Sequence, residues 1–164
     1  GLLSREAFKM HYSAMLGPAV TETKYSAALF SVRLNILYEA LGAQAAFAVL
    51  KALGEYANQY FNSIGGFSAR HSRDEILTIF PHKNLAEARK LVEGFSHELE
   101  NGVVDHIRNI AWKGSDAATC FDIYIRAGVI EISPEDSIEE IIEKGRARQE
   151  IISTHRCDLG GDVQ

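Results

Sequence analysis

The segment His71-Ser72-Arg73-Asp74-Glu75 sets two adjacent carboxylates beside a serine and an arginine, at a sharp turn: Phe67-Ser-Ala-Arg70 precedes the four polar residues 71–74, and Glu75-Ile-Leu-Thr-Ile-Phe80 follows them. Neighbouring like charges are costly to hold together unless they are solvated, metal-bound or paired. Two readings of the pair stand side by side. One is a polar turn whose acids face water. The other is the remnant of a divalent-metal and phosphate site, in which carboxylates hold Mg²⁺ against a nucleoside triphosphate.

Other chemistry-bearing patterns are absent from the sequence. It contains no G-x-x-x-x-G-K-S/T, no G-x-G-x-x-G, no H-E-x-x-H and no C-x-x-C. The six histidines, His11, His71, His82, His97, His106 and His155, stand singly, without the close spacing of metal ligands. Cys120 and Cys157 are the only cysteines, too few for a disulfide framework, and read as ordinary reduced residues.

The elements that must position the hairpin follow from the pattern around it. Ser4 caps a short amphipathic helix that stops at Gly17-Pro18. Ala27–Leu34 is apolar, with β-branched and aromatic members, and predicts a largely buried strand. A long helix from Ile36 to about Phe61 is apolar on nearly all sides, which suits close packing on a sheet. Gly65-Gly66 ends it, and strand, turn and strand follow, closed by Pro81. Asn84-Leu-Ala-Glu87 is a capping-box pattern opening a helix to about Leu99. Residues 101–119 are ambiguous between a helical stripe and a loop. Phe121–Ile132 reads as a strand, and Ser137-Ile-Glu-Glu140 as a second capping box on a last helix. This order is not the βαβα alternation of a doubly wound fold, so α+β with a mostly antiparallel central sheet flanked by helices is expected.

With 164 residues, 46% of them hydrophobic and 24% charged, the chain suits one globular domain. Its net charge of −5 without a long basic run argues against a partner that is a nucleic-acid polymer or an anionic membrane. No apolar run approaches the ~20 residues of a membrane span, and no signal peptide opens the chain, so a cytoplasmic location is expected. The start at Gly1-Leu2-Leu3 reads as a domain taken from a longer chain.

Taken in order, these segments resemble the GGDEF domain of diguanylate cyclases. Gly1-Leu-Leu-Ser-Arg-Glu-Ala-Phe8 resembles that family's opening T-G-L-x-N-R-R-x-F, and Ala28–Leu50 occupies the place of D-x-D-x-F-K-x-I-N-D-x-x-G-H-x-x-G-D. Arg70-His-Ser-Arg-Asp-Glu-Ile76 stands where R-Y-G-G-D-E-F belongs; Ala127-Gly-Val129 and Ser137-Ile-Glu-Glu-Ile-Ile142 resemble the S-I-G-V strand and the approach to the last helix. The resemblance implies a nucleotide-cyclase palm, ferredoxin-like, over residues 1–157, with 158–164 as a C-terminal tail.

The departures from the family pattern bear on activity. In that family two GTP-loaded domains meet head to head, each with metal ions held between an aspartate on the first strand and the hairpin acid. Counting back from Gly42, the metal aspartate falls on Phe30, which cannot ligate a hard cation. The guanine-reading Asn falls on Tyr38, its partner Asp on Glu39, and a further nucleotide-contacting Asp on Phe47. Ser72 and Arg73 replace both hairpin glycines, which let backbone approach phosphate in the family. The resemblance leaves Glu75 as a catalytic remnant, Asp74 as a metal remnant, and Ser72, Arg73 and Glu39 as candidate nucleotide contacts. The family's C-terminal phosphate-binding Lys and Arg are placed near Ser153 and Cys157, with Arg156 one residue away. No R-x-x-D inhibitory motif occurs; Ser63-Ile-Gly-Gly66 stands in its place.

The expectation is therefore a catalytically inactive regulatory or dimerisation domain of a larger bacterial signalling protein in the cyclic di-GMP field. Its expected partners are sensor or EAL-type domains in the same polypeptide, or a second copy in a homodimer, and no cofactor is expected. The alternatives are an active cyclase or a GTP-binding domain using Asp74 and Glu75, and only these call for Mg²⁺ and GTP.

Overall fold

A computed structural model describes residues 4–15, 25–33, 42–72, 74–103, 123–133 and 135–155. In chain order the described elements are α1 (Arg5–Met15), β1 (Tyr25–Val32), α2 (Ala43–Asn62), β2 (Phe67–Ser72) and β3 (Glu75–Pro81). They continue with α3 (Leu85–Glu98), a π-helical turn (Leu99–Val103), β4 (Ile123–Ile132), α4 (Ile138–Ala147) and β5 (Glu150–His155). The strands form one five-stranded sheet in the order β2-β3-β1-β4-β5, and every pairing is antiparallel. The α+β fold with an antiparallel central sheet flanked by helices, expected from the segment order, is the fold observed.

Alternation along β1 divides the interior in two, because successive side chains leave a strand on opposite faces. Ala28, Phe30 and Val32 pack against Leu50, Leu53 and Phe61 of α2 and Val92 and Phe95 of α3. Ala27 and Leu29 pack against Phe8 and Tyr12 of α1 and Ile141 and Ile142 of α4. Helices thus cover both faces, which is why β1 is apolar in every position but its serines: neither face meets water.

Local signals set the element ends. Ser4 Oγ accepts from Ala7 N at 3.1 Å and caps α1. Asn84 and Glu87 form the full reciprocal box at the start of α3. At α4 only half of the expected box forms: Ser137 Oγ accepts from Glu140 N, and the Glu140 carboxylate binds the Ser137 hydroxyl instead of its backbone. Gly65 takes a φ of +81° in the turn from α2 into β2, a conformation open to glycine at little cost.

Four boundaries differ from the sequence reading. β1 spans Tyr25–Val32, two residues earlier than 27–34, because Tyr25 and Ser26 pair with Pro81 and Phe80 across the ladder. β2 runs through Ser72, so His71 and Ser72 are strand residues and the turn is correspondingly tighter. The last helix ends at Ala147 and the chain returns along β4 as β5, a strand absent from the predicted order. Only the short apolar pair Ile151-Ile152 announces it, and a pair that short carries no periodicity. The long helix expected from Ile36 begins only at Ala43, because Gly42 takes a φ of +90° and interrupts any helix arriving from residue 36. Ile36 itself, most of the ambiguous 101–119 segment, the proposed tail at 158–164 and Cys120 lie outside the described residues.

Candidate functional site

The hairpin turn takes its shape from a slip in the β2–β3 ladder. Arg70 pairs with Ile76 and Ser72 with Glu75, so one residue bulges between them. The Ser72 hydroxyl then lies 3.0 Å from Asp74 Oδ1 and 2.9 Å from Glu75 Oε1, so its single proton can serve either carboxylate. Asp74 remains exposed, with its backbone carbonyl accepting from Val32 N at 3.1 Å. Glu75 is only 8% exposed and lies opposite Ser31 on the sheet face covered by α1 and α4.

A buried carboxylate needs a partner, and α4 supplies it. Arg146 Nε donates to Glu75 Oε2 at 2.9 Å and Nη2 to Oε1 at 2.8 Å, a bidentate fork. Those hydrogen bonds, outweighing the upward push of burial and helped by Ser72, by the guanidinium charge and by His71, hold the Glu75 carboxyl below the usual range. The same contacts raise the Arg146 guanidinium above its ordinary value, with Asp74 adding to the effect, so both partners stay charged at neutral pH.

Close packing brings Arg146 to that position. A Cβ on Gly128 of β4 would overlap the carbonyl of Gly145 on α4, and one on Gly145 would come within 2.7 Å of Leu29 Cβ. The helix therefore rests directly on backbone. Just past its end, Gln149 Nε2 donates to Leu29 O at 2.9 Å and Gly145 O at 3.0 Å, while its Oε1 accepts from Ser31 Oγ at 2.7 Å. One side chain thus ties the end of α4 to β1 beside Glu75.

Position 30 belongs to the other face. Phe30 has no exposed surface, and its ring sits 6.0 Å from that of Phe61 and 5.3 Å from that of Phe95.

No protein-family model matches the chain, nor does any curated protein. Solved structures do match. The GGDEF domain of DgcB from Caulobacter crescentus, in complex with c-di-GMP, superposes with a TM-score of 0.65 at 16% identity, over 89% of this chain and 82% of that one. The fold is that of a GGDEF domain. The FimX GGDEF domain from Pseudomonas aeruginosa gives a TM-score of 0.64 at 17% identity, covering 90% of this chain and 86% of its own. The active GGEEF domain of a diguanylate cyclase from Vibrio cholerae gives 0.63 at 15%, covering 90% and 88%.

Within this GGDEF-like fold, Ser72, Asp74 and Glu75 come together as the sequence suggests, but Glu75 is turned away from Phe30 and onto α4. Arg73 and Glu39, like Tyr38, Arg156 and Cys157, lie outside the described residues. Phe47, placed by sequence inside an apolar helix, is 47% exposed, and the Arg70 guanidinium stacks 4.8 Å from its ring centre. Arg70 Nε also donates to Ser72 O at 3.1 Å, which joins α2 to the hairpin.

Ser153 and Cys157, near which the resemblance sets a phosphate-binding Lys and Arg, both come after the end of α4 at Ala147. Ser153 lies on β5, opposite Ile125. With the helix stopping at Ala147, the spacing K-x-x-G-R-N falls on Lys144-Gly-Arg-Ala-Arg148-Gln149, with alanine in place of the glycine. Lys144 binds Asp136 at 2.8 Å. Burial alone would raise the Asp136 carboxyl, but hydrogen bonds from Lys144 and Ser133 N leave it below the usual range.

The donor set does not fit the divalent ions that the resemblance implies. Phe30 offers no donor atom, Glu75 gives both oxygens to Arg146, and Asp74 is left as a single exposed acid. Among the described residues no three His, Cys, Asp or Glu side chains converge to hold a metal. Arg146 is the site residue that sequence reasoning passed over. It lies 71 positions from Glu75, and local spacing carries no information on that pairing.

Proposed function

We propose that this GGDEF-like domain is a catalytically silent regulatory or dimerisation module of a larger bacterial signalling protein in the cyclic di-GMP field. The observation that carries the reading is Phe30, an aromatic core residue at the position where the family's pattern has its first metal carboxylate. Phosphoryl transfer between nucleotides depends on metal ions that neutralise developing charge, and losing a carboxylate ligand removes several kcal/mol of that stabilisation. The pairing of Glu75 with Arg146 supports the same reading, since a carboxylate held by a guanidinium is a poor proton acceptor. The proposed context is cytoplasmic, with sensor or EAL-type domains in the same polypeptide and a homodimer as the dimerising form. Incubation with GTP and Mg²⁺ or Mn²⁺, followed by chromatography of the nucleotides, tests the reading. GTP returned intact supports it, and accumulation of cyclic di-GMP overturns it.

A second reading, GTP binding without turnover, is favoured by Lys144 and Arg148, which stand at the Lys and Arg spacing of the family's phosphate-binding pattern. Thermal-shift titration separates the two, because a ligand at 100 times its Kd stabilises the fold by ~2.7 kcal/mol. A rise in Tm at millimolar GTP with no product assigns the domain to sensing.

A further inference from the structure

The hairpin holds two carboxylates on consecutive residues, bridged by one hydroxyl, and a cation already sits against one of them, Glu75. Ser72 Oγ reaches Asp74 Oδ1 at 3.0 Å and Glu75 Oε1 at 2.9 Å, while the Arg146 fork closes on both oxygens of Glu75. Arg146 is the charged partner that α4 presents here, and its Nη1 also reaches Glu143 Oε1 at 3.4 Å. The packing of Gly145 on the Gly128 backbone and the Leu29 side chain, and the Gln149 bridge to Leu29 and Ser31, fix the height of α4 over the sheet, and with it the reach of the guanidinium.

We infer that Arg146 is a built-in cation that stands in for a divalent metal at the hairpin acids, so that the turn keeps its shape without metal and rejects metal while Arg146 is present. The inference rests on the silent reading of the domain and adds the residue that makes the site independent of metal. Two consecutive carboxylates need about one cation between them, and a guanidinium delivered by a helix seated on backbone supplies it at a fixed position. Arg146 is thus a positioning residue. It touches no reacting group, and it sets the geometry of Glu75 and, through Ser72, of Asp74.

Thermal melts of the whole protein with EDTA and with millimolar MnCl₂ test the inference. The wild type should show the same Tm in both. Arg146→Met should melt several degrees lower in EDTA and regain part of that loss in Mn²⁺, and Arg146→Met with Glu75→Gln should lose the Mn²⁺ response. Arg146→Lys, which keeps the charge and loses the fork, should fall between wild type and Arg146→Met, and it serves as the readout if the methionine variant does not fold. A wild-type Tm that rises in Mn²⁺ and stops rising in Glu75→Gln overturns the inference, as does an Arg146 variant with no Mn²⁺ response. Formation of cyclic di-GMP would overturn the silent reading by a separate assay, leaving the melts of wild type and variants to be compared on their own.

Discussion

Gly145 of α4 lies on Gly128 of β4 so closely that a methyl group on Gly128 would occupy the position of the Gly145 carbonyl. The contact sets helix against strand with no side chain between them, and Arg146 and Gln149 reach the sheet because of it. Gly128→Ala should therefore lift α4 from the sheet, cost more than about 2 kcal/mol as an overpacking change, and weaken the Glu75–Arg146 pair as a consequence. Denaturant unfolding measures the cost. A loss within ~0.5 kcal/mol of wild type would contradict this packing.

Phe30 is the second point of leverage. Truncation to alanine removes a ring in contact with Phe61 and Phe95 and should cost about 3–4 kcal/mol, or roughly 10 °C in Tm for a chain of this length. Phe30→Asp should be worse, since it places a carboxylate in an aromatic cluster without a partner, and it should not create cyclase activity. Calorimetry of the two variants checks the order.

The ion pair also sets a dependence on pH. The Glu75 carboxyl is lower in the folded chain than in the unfolded one, so its contribution to stability is complete above the ordinary glutamate value of ~4.3 and is lost as pH falls through the depressed folded value. Arg146 is half exposed, so the pair should contribute about 1–2 kcal/mol. The stability gap between wild type and Glu75→Gln should be constant well above the ordinary glutamate value, by the same linkage, and close as pH falls through the depressed folded value. A gap that widens in acid would contradict the assignment.

Asn84 makes both halves of the box at the start of α3, with Glu87 N donating to its side chain at 2.8 Å. Asn84→Ala should cost about 1 kcal/mol, and Asn84→Ser far less. Urea midpoints of the two variants distinguish the cap from a general surface effect.

Much of this arrangement is legible in the sequence because its causes are local. Ala27–Val32 is apolar on both sides of its alternation, so burial of both faces follows. Asn84 and Glu87 announce a helix by spacing alone. Ser72, Asp74 and Glu75 come together because a tight hairpin leaves them no other place. What could not be read depends on distant partners. Nothing near Glu75 shows that its carboxylate would turn toward α4, because strand alternation sets its direction and the register sets its neighbour. Ile151-Ile152 gives no sign of joining β4 without β4 in view, and the spacing Lys144 to Arg148 becomes readable only once α4 is seen to end at Ala147.

The most direct test of the account is the titration of the Glu75 carboxyl itself, followed by ¹³C NMR with Glu75→Gln supplying the assignment, with and without millimolar Mg²⁺. The account predicts a midpoint below the ordinary glutamate value that Mg²⁺ leaves unchanged. A midpoint at the ordinary value, or one that Mg²⁺ moves, would show that Glu75 is free for a metal and contradict the account.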